Sequence, residues 1–389
     1  MRFLALMLCP LAFTTGVFVF AGVLDPLAAD LGVGVEAAGQ LQSVFAISCA
    51  IAGPILAILT GRFGRKGLLV GTLAYLAVMN ALSSIMPGYG GLLTTRLLAG
   101  AFGALTMPMA STIAVALVGP ERRARALAVV YGGVSLAFIS GIPLGSVVGE
   151  AFGWRASFWL ASALSALACL AVLVFIPKVP APPPAPKGAF SAVLSWPTTG
   201  YLLVTMLAFA AIFSAIGYVG PVIGQLTGFS GAGIGAVQMI SGLGSFLGLT
   251  IGTRMVETRM RGPLFWLFSA VLLSQAIFSV GLIGGWVGSA GLAVAVIGML
   301  IGSTSLFGTA PIVQSRLAEA AGPAATLAFA LNGSMVYLGQ GLGVVLGGLV
   351  LAGWGLSYVS VAGMALAALG ILLALRLRAG RVSAPLQAR

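Results

Sequence analysis

Three charged residues stand where they could handle a proton or an anion, and each lies in or beside a long apolar run. Arg96 is about six residues into its run, ~9 Å along a helix rising ~1.5 Å per residue. An ionisable group at that depth is costly and reads first as functional, although an arginine there is long enough to snorkel toward a headgroup region. Asp25, just before Pro26 at the end of the first run, is its candidate partner, and Glu150 is a second carboxylate near the same end. Burial raises a carboxylate's proton affinity and a nearby guanidinium lowers it, so such a group can exchange protons with its surroundings. The plainer reading of Asp25 is a solvated helix-end residue. No Asp or Glu falls in the middle of any run, and there is no His, which removes imidazole as ligand, base or pH switch. Cys9, Cys49 and Cys169 lie in apolar runs without metal-ligand spacing and read as small hydrophobes.

The elements that must hold these groups follow from composition. Of 389 residues, 60% are hydrophobic and 7% charged, with a mean hydropathy of +1.13, whereas soluble domains carry about 25% charged residues. The surrounding solvent is therefore lipid. Twelve apolar stretches recur, from 3–23 to 357–375. The first, Phe3 to Val23, is 21 residues, longer than the ~7–15 of a secretory core, and reads as a span. Helices or closed barrels alone satisfy backbone polar groups in hydrocarbon, and these runs are too long and continuous for barrel strands. The expected fold is all-α and integral to the membrane, with twelve transmembrane helices. The proline-rich stretch Pro177 to Lys187 is the one break in composition. It divides a six-helix bundle at 1–176 from another at 198–389, with a linker at 177–197.

Nineteen basic residues face seven acidic ones, and 17 of the 19 fall in even-numbered loops and at the termini. By the positive-inside rule that side is cytoplasmic, with both termini on it. The excess charge is a topology signal, and no nucleic-acid partner is needed to account for it. The 56 glycines fit helices that associate in lipid through small residues.

The two halves also match at an offset of 200 residues. Gly133 pairs with Gly333, Gly141 with Gly341, and Gly153-Trp154 with Gly353-Trp354. Two parallel six-span halves are a transporter design, with the substrate site near the midplane between them.

Several local patterns are more specific. The loop after the second span reads GRFGRK, Gly61 to Lys66; the fourth span holds RLLAG, with Arg96 and Gly100. The fifth holds GG-x7-G-x-P-x-G, with Gly132, Gly133, Gly141, Pro143 and Gly145. With Asp30-Leu31-Gly32-Val33 and Ala38-Gly39-Gln40-Leu41, these patterns resemble the major facilitator superfamily over the whole chain. The resemblance is to its twelve-span drug:proton antiporter branch, which includes multidrug-efflux and arabinose-efflux-permease-like proteins. GRFGRK is similar to the superfamily's loop signature, with Arg62, Gly64, Arg65 and Lys66 carrying over. Gly61 stands where the signature has Asp, and Ala57 where it has its leading Gly. RLLAG looks like the fourth-span signature, whose Arg is associated with proton coupling or substrate contact.

The fifth-span pattern looks like the antiporter signature found in exporters more than importers. Its Gly face and Pro143 are expected to form a dry, hinge-like contact between the halves, so a bulky residue at Gly141 should trap one state. The stripes Gly244/Gly248/Gly252 and Gly339/Gly343/Gly347 read as ordinary helix packing.

The resemblance implies a secondary active exporter in the bacterial inner membrane. It would work by alternating access as a functional monomer, driven by a proton gradient with no cofactor, and would not be an enzyme. Its partners would be lipids and a small-molecule substrate. The first, fourth, seventh and tenth spans would line the cavity, with Phe13, Thr14, Phe18, Ser111, Phe213, Tyr218 and Thr304, joined by Asn332, Tyr337 and Gln340 of the eleventh. A largely apolar, aromatic pocket suits amphipathic organic molecules better than sugars, which need many directed hydrogen bonds. Export of a sugar, nucleoside or amino-acid derivative is the alternative on the same scaffold. A membrane-embedded enzyme or a non-transporting sensor fits less well, given the absence of His and of buried carboxylate pairs.

Overall fold

The computed structural model describes residues 1–179, 193–196 and 198–382. Most of the proline-rich linker expected at 177–197 therefore lies outside the described residues. Among the described residues, twelve helices are long and apolar enough to cross a membrane. They are α1 (Arg2–Asp30), α2 (Val35–Leu59), α3 (Arg65–Ile85), α4 (Tyr89–Ala116), α5 (Arg125–Phe152) and α6 (Trp154–Phe175), then α7 (Thr198–Ile216), α8 (Gly231–Glu257), α9 (Pro263–Ile283), α10 (Ser289–Ala321), α11 (Leu327–Trp354) and α12 (Leu356–Arg378). No strand occurs among the described residues. The start of α1 and the end of α12 lie at one end of the bundle, called the near end here; Asp30, the end of α1, marks the far end.

Proline breaks the helices where a missing N–H leaves a carbonyl without its partner. α1 is a helix over Arg2–Phe18, one tight turn over Ala21–Val23, then a helix over Leu24–Asp30. Pro26 has no N–H to give the Gly22 carbonyl. The same Gly-x-x-x-Pro arrangement recurs at Gly217 and Pro221, where α7 ends and a short helix, Val219–Thr227, continues toward the far end. In α5, Pro143 follows a π-helical turn over Ala137–Gly141, the local widening that accommodates a lost helical bond. α10 runs on through Pro311, which sits within the helix without ending it. It stops at Gly322, whose φ of 51° a side chain would strain.

Packing repeats between the halves. α1 lies on α5 and α7 on α11, and in each pair glycine lets one backbone touch the other. A Cβ at Gly133 would meet the Met7 carbonyl, and one at Gly339 the Met206 carbonyl. α2 lies on α4 through Gly100 at the Phe45 carbonyl, as α8 lies on α10 through Gly248 at the Thr304 carbonyl. The stripes Gly244/Gly248/Gly252 and Gly339/Gly343/Gly347 are thus helix-packing faces within the C-terminal half. The offset of 200 does not mark equivalent glycines: Gly141 abuts Thr15 of its own half, whereas Gly341 abuts Ile47 across the molecule. The rim is apolar, with Ile58 81%, Phe152 78% and Trp354 72% exposed, as a lipid-facing surface requires.

At the far end, Asp30 Oδ2 accepts hydrogen bonds from Trp154 Nε1 at 3.0 Å and Arg155 Nη1 at 2.5 Å. The ion pair is 40% and 49% exposed, and exposed pairs contribute little. Asp30→Asn is accordingly expected to keep wild-type expression and a melting temperature in detergent within a few degrees of wild type.

Candidate functional site

Arg96 of α4 is fully enclosed, with no exposed surface. Its Nη1 donates to Asn80 Oδ1 of α3 at 3.4 Å, and its Nη2 to the Val17 carbonyl of α1 at 3.3 Å. Val17 lies in the last turn before α1 breaks, where carbonyls lack a helical donor. Three rings surround the guanidinium, Phe45 at 4.4 Å, Phe20 at 5.5 Å and Phe158 at 5.6 Å. Arg96 therefore does not snorkel: the rings and four neighbouring helices close the route. Nor does it pair with Asp25. Neither ion pair among the described residues includes Arg96, and Asp25 is exposed at the far end.

Beside this cage, rings from both halves meet at the level of the helix breaks. Phe18 stacks on Phe213 with centroids 5.6 Å apart, and Phe13 meets Tyr337 edge-on at 6.1 Å. Phe138 joins Phe18 at 5.6 Å to Phe307 at 5.8 Å. Of the residues expected to line a cavity, Phe13, Phe18, Phe213 and Tyr337 lie in this layer, and Thr14 is buried beside Phe13 on α1. Other expected lining residues lie elsewhere. Tyr218 sits at the far end between α2 and α11, its hydroxyl 3.0 Å from the Val344 carbonyl and within 3.3 Å of Gln40 Nε2. Thr304 is on the α8–α10 contact, and Asn332 Oδ1 accepts from Thr205 Oγ1 at 2.7 Å within the C-terminal half. Ser111 is half-buried in the near-end segment of α4, Thr106–Ala116. Gln340 is buried, and its Oε1 has no hydrogen-bond partner among the described residues.

Asp25 and Glu150 share a far-end cavity of about 600 Å³ with Asp30, Arg155 and Ser230. Glu150 Oε1 accepts from Ser230 Oγ at 2.6 Å, and its Oε2 from the Ala232 N–H at 2.7 Å. These bonds cross from α5 to the start of α8. Among the described residues, the other inter-half hydrogen bonds run from the far end to mid-bundle: Gln40 Nε2 to the Tyr218 hydroxyl at 3.3 Å, the Tyr218 hydroxyl to the Glu36 carbonyl at 3.4 Å, Ser43 Oγ to the Gly341 carbonyl at 3.1 Å, Ser146 Oγ to Gln238 Oε1 at 3.0 Å, and Ser245 Oγ to Ser135 Oγ at 3.2 Å. The far end is closed along two seams, α2 against α11 and α5 against α8.

A family model described as Major Facilitator Superfamily matches residues 4–326. The chain belongs to the major facilitator superfamily. The inner membrane transport protein YdhP of Escherichia coli (strain K12) is 28% identical over 93% of this chain and 92% of its own length. A chloramphenicol resistance protein of Streptomyces lividans is 31% identical over 70% of this chain and 73% of its own. In fold, the chain is similar to a bacterial homolog of the human lysosomal transporter Spinster, solved in an inward-facing and unoccupied conformation. The TM-score is 0.70 at 17% identity, over 98% of this chain and 94% of that one. Its relatives and fold are those of superfamily transporters, which are not enzymes.

Two superfamily motifs make most of their contacts within the N-terminal half. In the loop Gly61 to Lys66, Arg65 is buried, its Nη1 donating to Met109 Sδ at 3.6 Å and its backbone N–H to the Val179 carbonyl at 2.9 Å. Lys66 Nζ donates to the Leu173 carbonyl at the end of α6, at 2.9 Å, where a cation is favoured. Arg62 lies over the neighbouring Phe63 ring at 5.5 Å, and Gly64 approaches Val179. These contacts fasten α3, α4, α6 and the start of the linker within the N-terminal half.

The fifth-span pattern also needs correcting. Gly133, Gly141 and Gly145 pack on Met7, Thr15 and Val19 of α1, inside the N-terminal half, and Gly132 has no neighbour there. The inter-half contact uses the opposite face of α5. Ile139 and Pro143 meet Gly242 and Gly235 of α8, in line with Ser146 and Glu150. Positions 139, 143, 146 and 150 follow helical spacing, a signal present in the sequence but masked by the more conspicuous glycines.

Proposed function

We propose that this chain exports small amphipathic organic compounds by proton antiport, the two halves rocking so that a central site opens alternately to each side. The observation that carries this reading is the ring layer built from both halves, Phe13, Phe18, Phe138, Phe213, Phe307 and Tyr337. An apolar, aromatic surface with few directed polar groups favours amphipathic cargo over sugars. The export direction draws support from the fifth-span pattern and from the relative named for chloramphenicol resistance. The near end, rich in Lys and Arg, would face the cytoplasm.

The test is flux in proteoliposomes with an imposed pH gradient, across a panel of amphipathic drugs, sugars and nucleosides. Gradient-driven uptake of the drugs, abolished by a protonophore, is expected. Flux of any cargo that ignores the gradient would defeat antiport, and gradient-driven uptake confined to sugars or nucleosides would defeat the cargo class. Asp25 is the leading carrier of the transported proton, placed in the far-end cavity with free access to water. Asp25→Asn is expected to abolish gradient-driven uptake while leaving expression and substrate exchange intact. Undiminished drive in that variant would remove Asp25 from the mechanism.

A further inference from the structure

The start of α8 is capped from the other half of the molecule. Ser230 occupies the position that ordinarily caps a helix, yet its hydroxyl does not bond to the α8 backbone. It donates instead to Glu150 of α5, and Glu150 takes over the capping by accepting the Ala232 N–H. Gly231 makes room for this, since a Cβ there would run into the Glu150 carboxylate. A helix N-terminus presents unpaired N–H groups and the positive end of its dipole, so it prefers a charged carboxylate to a neutral one.

We infer that Glu150 is a proton-released clasp, which in its charged form holds the far end closed and on protonation favours the conformation open on that side. The charged form accepts two hydrogen bonds, and such charge-assisted bonds are about twice as strong as neutral ones. The neutral acid loses that assistance and its attraction to the helix dipole, and one of its oxygens then carries a proton toward donors rather than acceptors. The remaining bonds across the α5–α8 seam, Ser146 to Gln238 and Ser135 to Ser245, join uncharged groups, so Glu150 is the titratable member of this seam. The other charged groups around it are Asp25 and Asp30 from α1 and Arg155 from α6, with Arg155 engaged by Asp30. The first charged residue of α8 is Arg254, near its other end. The clasp takes its physiological meaning from the antiport reading, because protons arriving at the far side would then favour opening toward that side. Its existence is read by distance rather than flux.

The experiment places spin labels on F152C and F229C, two exposed far-end positions on either side of the α5–α8 seam, in full-length protein in nanodiscs with Cys9, Cys49 and Cys169 replaced. In the parent, lowering the pH should move the distance distribution from the short, closed population to a long one. E150Q should populate the long distance at every pH, S230A should fall between the two, and D30N should keep the parent's pH response. A parent-like distribution and pH response in E150Q would overturn the assignment, as would a response that disappears with D30N instead. If E150Q shifts the distances but flux ignores the pH gradient, the clasp stands and the antiport reading falls.

Discussion

Gly141→Trp is expected to prevent the N-terminal half from folding, whereas Gly235→Trp should give a folded protein that no longer closes at its far end. The sequence pattern alone suggests that bulk at Gly141 would trap one transport state. The structure changes that outcome, because a Cβ at Gly141 would collide with Thr15 of α1 in the same half. That contact lies wholly within one half, flanked by Gly133 at the Met7 carbonyl and Gly145 at the Val19 carbonyl. No rocking motion relieves it. Even added methylenes in a packed interior cost about 1–3 kcal/mol, and an indole wedged between two backbones costs more. Gly235 instead faces the other half, a Cβ there lying 3.0 Å from the Pro143 carbonyl oxygen and 3.3 Å from its Cα. Separation of the halves at the far end removes this clash without repacking either one. The check is a pair of measurements: Gly141→Trp should lose its monodisperse size-exclusion peak in detergent. Gly235→Trp should keep it, expose a cysteine introduced at Ser146, buried in the α5–α8 seam, to a water-soluble label, and transport at background rate. A monodisperse, far-open Gly141→Trp would show that α1 and α5 part during transport.

The same pair shows what the sequence could and could not disclose. Twelve spans were legible because hydrocarbon forces nearly continuous apolar runs, and the glycines of α5 were legible as a packing face. Their direction was not. The π turn over Ala137–Gly141 shifts the helical phase, and nothing local says whether α1 or α8 lies against the small residues. Glu150 could be singled out as a rare charge, but its partner Ser230 is 80 positions away, joined only by tertiary packing. By contrast, the repeated break at Gly22–Pro26 and Gly217–Pro221 was written in the sequence. The offset of 200 obscures it, because these two patterns are related by 195 residues.

Arg96 was also conspicuous, and its surroundings give the second large expectation: Arg96→Met and Arg96→Lys should both abolish transport while leaving the fold in place. Loss of the guanidinium leaves the Val17 carbonyl and Asn80 Oδ1 without their donor. Each orphaned buried acceptor costs about 1–3 kcal/mol. Removal of a buried charge that has no carboxylate partner offsets part of this, and Met fills the space among Phe20, Phe45 and Phe158 with apolar atoms. The net loss of stability should therefore be small enough for the protein to remain monodisperse.

Transport depends on something Met does not supply. The planar fork ties α3 to α1 at the turn before α1 breaks, beside Phe18 in the ring layer. A lysine keeps the charge but presents it as a point, which does not reproduce two donors held in one plane. The measurement is flux in proteoliposomes together with melting in detergent for both variants. Wild-type flux in Arg96→Lys would mean that charge alone suffices and that the tie to Val17 is incidental. Wild-type flux in Arg96→Met would remove this residue from the mechanism altogether.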